Sequence, residues 1–253
     1  MPATREALAH KAQIARIKSQ ASQSYERAWK ELGTYNREDL PRLLNATVPI
    51  AQAAQRQTVG VTNALIARRL KRQPSQINPL DYMGERVRGG VSPEEVYARP
   101  LKQYWRMLKN GYTWEQAQSS GLAVASASLA SDVMLSMRAT VAGLQLREPG
   151  AWGYQRVPSG NACDFCILAA STQRYYSGDL EPLHIGCGCG IDVITADDDP
   201  GNVINPDRLE AINAGDTELA VRQTGEYGPQ LITNAAQPPV QGPRLPRAGR
   251  RAL

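Results

Sequence analysis

The stretch that decides the fold runs from Thr113 to Leu144: Thr113-Trp114-Glu115-Gln116, then AQSSGLAVASASLASDVMLSMRATVAGL over residues 117–144. Thr113 and Gln116 stand at the two positions of a capping box, in which each side chain satisfies the other residue's backbone N–H. The run that follows contains no proline and is rich in Ala and Ser. Small residues at Ala123, Ala125, Ala127 and Ala130 permit close helix–helix approach. A long helix of this kind, in a chain with only 6% aromatic residues and a single Phe, predicts an α-rich core of Ala, Leu, Ile and Val.

Working toward the N-terminus, Ser92-Pro93-Glu94-Glu95 announces another helix start, with Ser92 as cap, Pro93 in the first turn and Glu95 at the capping-box position. A short helix is expected over Leu101 to Leu108, stopped near Gly111. Residues 73–91, with Pro74, Pro79, Gly84, Gly89 and Gly90, read as a connection. A helix is expected from about Pro41 to Arg72, with a stripe of Ala51, Ala54, Thr58, Val61 and Leu65; Pro49 should kink it or break it near Val48. The first helix is expected from about Thr4 to Leu32, because Ile14, Ile17, Ala21, Tyr25, Ala28 and Leu32 recur at spacings of three and four. His10 is expected on its exposed side.

Charge is unevenly spread. The formal net charge is +5, residues 1–72 carry +8, residues 235–253 carry +4, and the middle carries −7. Basic ends of this kind fit an acidic partner, either a protein face or nucleic acid. The run Arg68, Arg69, Lys71, Arg72 has a plainer reading as cations at a helix C-terminus. No charged n-region with an apolar h-region opens the chain, and no window approaches eighteen uninterrupted apolar residues. Neither a secretory signal nor a membrane span is therefore expected.

Beyond Pro149-Gly150 the character changes. Cys163-Asp164-Phe165-Cys166 is a C-x2-C pair, and His184-Ile185-Gly186-Cys187-Gly188-Cys189 follows after a spacer of seventeen residues. All four cysteines and one of the two histidines fall within twenty-seven positions. C-x2-C brings two thiolates to one side of a tight turn, and imidazole and thiolate from the second half complete the tetrahedron that zinc prefers. Zinc takes four ligands and there are five candidates: Cys163, Cys166 and His184 first, then Cys187 or Cys189. All four cysteines without His184 is the other set. A structural zinc would contribute folding energy to a module too small to hold itself together. Asp179 and Glu181 in the spacer leave a catalytic metal open, and reduced thiols or a late disulfide form the metal-free reading.

The segment Tyr154-Gln155-Arg156-Val157-Pro158-Ser159-Gly160-Asn161-Ala162-Cys163-Asp164-Phe165-Cys166-Ile167-Leu168-Ala169-Ala170-Ser171 resembles the core of phage Mu F-like minor head proteins. Pro182-Leu183-His184-Ile185-Gly186-Cys187-Gly188-Cys189 resembles it too. The resemblance implies an Arg-Val strand, a C-x2-C pair, a short Leu-Ala helix, a Tyr filled by Tyr175 or Tyr176, then His-x2-Cys-x-Cys and a closing strand over Ile191 to Ile194. Ile185 and Gly188 depart from the commoner His-Pro-x-Cys-Arg-Cys form.

The resemblance implies a structural minor head (minor capsid) protein of a tailed bacteriophage. Such a protein resides in the virion head and in the host cytoplasm during assembly. It is associated with the portal protein or the major capsid protein and acts in head morphogenesis, DNA packaging or ejection. The basic ends would meet packaged DNA. Capsid maturation protease is the enzymatic alternative, since related actinophage proteins carry that label, and a zinc-bearing nucleic-acid-binding protein is the second. A serine-protease triad has little to draw on, because His10 and His184 are the only histidines and no G-x-S-x-G or H-E-x-x-H is present.

The expected fold class is therefore α-rich α+β. It comprises a helical domain over 1–148, a small metal-stapled Cys/His module over 149–196, a C-terminal extension over 197–234 with weak helical signals around Pro206 to Ala214, and a disordered basic, Pro-rich tail over 235–253.

Overall fold

Thr4 has extended backbone and accepts a hydrogen bond from the Ala7 N–H, which starts α1 (Arg5–Lys30). Such a cap contributes about 1 kcal/mol. The computed structural model describes residues 3–145, 151–158, 162, 166–167, 169–170, 188–195, 197–198, 210, 219–223 and 229–233. Along α1, Ala7, His10, Ile14, Ile17, Ala21, Tyr25 and Trp29 are buried, a stripe at spacings of three and four as its periodicity requires. His10 belongs to this buried stripe, which corrects the exposed placement expected for it.

The second helix, α2 (Leu40–Arg69), runs without interruption through Pro49, so the expected break near Val48 is absent. Proline deprives the carbonyl of Asn45 of its partner. Both Asn45 and Pro49 are exposed, where water can satisfy that carbonyl. Two short 3-10 turns, Pro79–Tyr82 and Gly84–Arg88, lead to α3 (Pro93–Lys109). Ser92 caps α3 by accepting from the Glu95 N–H at 3.1 Å. This helix also passes through a proline, Pro100, and is longer than the segment expected over Leu101 to Leu108.

The longest helix, α4 (Trp114–Gln145), opens on the expected capping box: the Gln116 N–H donates to Thr113 Oγ1 and the Thr113 N–H to Gln116 Oε1. It packs against α1, α2 and α3. At Gly121 an added Cβ would lie 2.8 Å from the Trp29 ring and 3.0 Å from the Pro100 carbonyl. Only glycine allows this approach. By length and composition α4 could cross a membrane; here it is the central helix of a packed bundle. Its buried Asp132 is paired with Arg88 and accepts from the Tyr97 hydroxyl.

The core draws on the few aromatic residues more than composition implies. Tyr25, Trp29, Tyr35, Tyr97 and Tyr104 form one cluster with neighbouring ring centroids 5.1–6.4 Å apart. Ala, Leu, Ile and Val fill the space around it.

Two strands, β1 (Ala151–Val157) and β2 (Gly190–Thr195), pair antiparallel, with Tyr154 opposite Val193 and Val157 opposite Gly190. Both were expected from the resemblance. Tyr154, Ile191 and Val193 belong to the same hydrophobic core as the helices. The helical region 1–148 and the segment 149–196 thus share buried contacts, and they lie within one compact unit, Met1–Ile204.

The second unit, Asn205–Leu253, contains an antiparallel hairpin of β3 (Leu219–Gln223) and β4 (Pro229–Thr233). The weak helical signals around Pro206 to Ala214 lie outside the described residues except at Glu210, which has helical backbone; the hairpin follows them in the chain. Alternation in Leu219, Val221 and in Leu231, Thr233 is too short to register against background. The tail expected to be disordered, 235–253, lies outside the described residues.

Candidate functional site

The pairing of β1 with β2 brings the two ends of the cysteine-bearing segment together. Val157 faces Gly190 across the ladder, so the chain from Pro158 to Cys189 is a loop closed at its base. Cys189 immediately precedes β2 and is buried, and Cys166 is buried with helical backbone beside Ile167. Ala169 and Ala170 share that backbone and burial, in the place of the short Leu-Ala helix. The other three candidate ligands, Cys163, His184 and Cys187, lie outside the described residues, as do Tyr175 and Tyr176. Among the described residues there is no group of three or more His, Cys, Asp or Glu able to hold a metal.

The loop base is anchored to the start of α1. Lys11 Nζ donates to the Pro158 carbonyl at 2.6 Å, and its aliphatic stem runs past Gly190. Burial pulls the Lys11 ammonium below the usual lysine range, and the negative charge of Cys189 partly opposes this. Ala3, Ala7 and Val157 form a small apolar cluster beside it. Cys166 and Cys189, one from each half of the motif, are both buried sulfurs, donors of the type that zinc takes.

A second anchor is an ionic network that sequence reading missed. Arg69, at the end of α2, donates through Nε and Nη2 to the Val193 carbonyl at 3.0 and 2.8 Å and through Nη1 to the Asp198 carboxylate. Its Nε lies 3.3 Å from Asp192 Oδ1, and Asp192 Oδ2 accepts from the Thr4 N–H at 2.9 Å. Burial raises the Asp192 carboxyl above the usual range, opposed by the Thr4 hydrogen bond and by Arg69. Arg69 of the basic run and Asp198 of the acidic run therefore belong, with Asp192, to a structural clamp. Asp198 thus pairs with Arg69 while its side chain stays 55% exposed. Nothing in the run marks Arg69 apart from Arg68 or Lys71; only its buried helical phase does.

His10 is sealed between α1 and α2. One ring nitrogen, Nε2, lies 3.1 Å from Thr62 Oγ1, both residues are at most 2% exposed, and burial lowers the imidazole pKa to about 4. A base enclosed in this way reaches no substrate.

The model of the VG15 protein family matches residues 1–212 of the chain, which takes in the helical bundle, both strands of the first pair and the whole cysteine segment. No curated protein and no solved structure matches significantly. With helices, ribbon and cysteine segment all inside the matched span, the chain belongs to the VG15 protein family, a family of phage gene products.

Proposed function

We propose that this chain is a structural minor head protein of a tailed phage, portal- or inner-capsid-associated, whose cysteine segment is folded around one structural zinc ion. The observation that supports the reading is the register of β1 on β2, which brings together the two ends of the segment that carries the Cys/His motif. Cys163, Cys166 and His184 would hold the ion together with Cys187 or Cys189, or the four cysteines would hold it without His184. Zinc bound there would supply a cross-link between the halves. Lys11 and Arg69 tie the loop base to α1 and α2, so the loop is presented as a docking element on a helical scaffold.

The basic ends would face packaged DNA or an acidic portal surface, less Arg69, which is committed internally. A maturation protease gains no support from His10, which is sealed in the core. The test is mass spectrometry of purified virions combined with co-purification of the tagged chain with portal protein. The protein is expected in the particle and in the portal complex; absence from both contradicts the proposal.

A further inference from the structure

Arg99, Lys102, Arg106 and Lys109 recur along α3 at spacings of three, four and three, and all four are exposed. At 100° per residue they fall on one narrow stripe, opposite the buried face made by Tyr97, Leu101 and Tyr104. The stripe is about 15 Å long, at 1.5 Å rise per residue. Arg99 meets Glu95 at 3.6 Å, at the N-terminal end. Lys102, Arg106 and Lys109 have no ion pair among the described residues. The neighbouring α4 offers little countercharge: its only acids are exposed Glu115 and buried Asp132, the latter already paired with Arg88.

Aromatic faces accompany the cations. Trp105, which donates to the Tyr35 carbonyl at 2.8 Å, lies under the guanidinium of Arg37 at 6.0 Å from its ring centroid. Arg37 is thereby held beside the stripe, with Glu38 and Asp39 next to it in sequence; Asp39 is engaged by Thr34 and Arg42. Past the end of α3, the short connection 110–113 leads to Trp114, the first residue of α4, which is 56% exposed.

We propose that this face of α3, with Trp114 at its tip, is a nucleic-acid-binding surface. The cations contact successive phosphates and the Trp114 ring stacks on an unpaired base. Lys and Arg on one helix face match a polyanion of regular charge spacing. An exposed indole five residues past the last cation supplies the sequence-tolerant stacking by which single strands are held. The surface is separate from the basic ends and from the cysteine segment, and it does not depend on zinc.

The test uses the full-length protein and fluorescence anisotropy with a labelled DNA oligonucleotide, single-stranded and as duplex, across a salt series. K102E/R106E/K109E should weaken both by roughly tenfold or more and reduce the salt slope by about two to three. Single K102E and K109E variants should move the same way, guarding against a misfolded triple variant. W114A should weaken the single strand roughly fivefold or more while leaving the duplex near wild type. R86E, at an exposed position outside both basic ends and off the stripe, should change affinity less than about twofold, as expected for a position that contacts no phosphate. The proposal is overturned if wild type binds neither form, if the α3 variants bind like wild type, if R86E falls as far as single K102E and K109E do, or if polyglutamate of equal charge competes as well as DNA.

Discussion

Arg69 and Asp192 lie 3.3 Å apart in the interior, 123 positions apart in the chain, with 4% and 0% of their side chains exposed. Their contact fastens the end of α2 to the middle of β2. Two further partners complete it: the Thr4 N–H on the carboxylate and the Asp198 carboxylate on the guanidinium. Three chain segments therefore meet at the base from which the cysteine segment departs.

Removing one partner of such a pair strands the other charge in low dielectric. Arg69→Met is expected to destabilise the protein by about 3–5 kcal/mol. Asp192→Asn, which retains an acceptor for the Thr4 N–H, should cost less. Urea unfolding of the two variants checks the order.

The buried acid in α4 gives a parallel case with a finer distinction. Tyr97→Phe leaves Asp132 with Arg88 but removes the hydroxyl donor, and is expected to cost about 1–3 kcal/mol. Arg88→Met leaves Asp132 with no cation and should cost about 3–5 kcal/mol. If thermal unfolding gave the two variants equal losses, the ion pair would carry no more than the hydroxyl does.

His10 sets a pH dependence. Its folded pKa of about 4 lies below the unfolded value of 6.5. Between these two values the unfolded chain takes up a proton that the folded chain refuses. Stability is therefore full above pH 6.5 and falls as pH decreases toward 4, by about 2 kcal/mol between pH 7 and pH 5. His10→Gln keeps a hydrogen-bonding group toward Thr62 without titrating, so the slope over this window should flatten in melting curves.

Two glycines separate packing from propensity. Gly121→Ala meets Trp29 and Pro100 at 2.8–3.0 Å and should lose roughly 1–3 kcal/mol through forced repacking. Gly60, in the interior of α2, has nothing within 4 Å of a built Cβ. Gly60→Ala should therefore gain about 0.5–1 kcal/mol. Opposite signs in paired melts are the expected outcome.

The helices were legible because their signals are local. Thr113 with Gln116, and Ser92 before Pro93 and Glu95, declare helix starts within four residues, and the stripe of α1 needs only its own spacing. Pro49 misled for a physical reason: a proline costs a helix one hydrogen bond, and the tertiary contacts of α2 outweigh that. His10, Arg69, Asp132 and Asp198 were not legible, since polar residues in a periodic stripe look solvated until their distant partner is known. The β3–β4 hairpin is short and carries no Asn-Gly type turn signal. Of the candidate site, the motif and its flanking strands could be read from spacing and resemblance. The clamp beneath it, which depends on contacts across the chain, could not.

The most direct test of the account is metal content of the full-length protein purified without added metal or chelator, measured by elemental mass spectrometry with the melting temperature before and after chelation. One zinc per chain is expected, lost together with several degrees of melting temperature in Cys163→Ser and Cys166→Ser. Protein free of zinc that refuses added zinc, and that melts unchanged with chelator or with these substitutions, would contradict it.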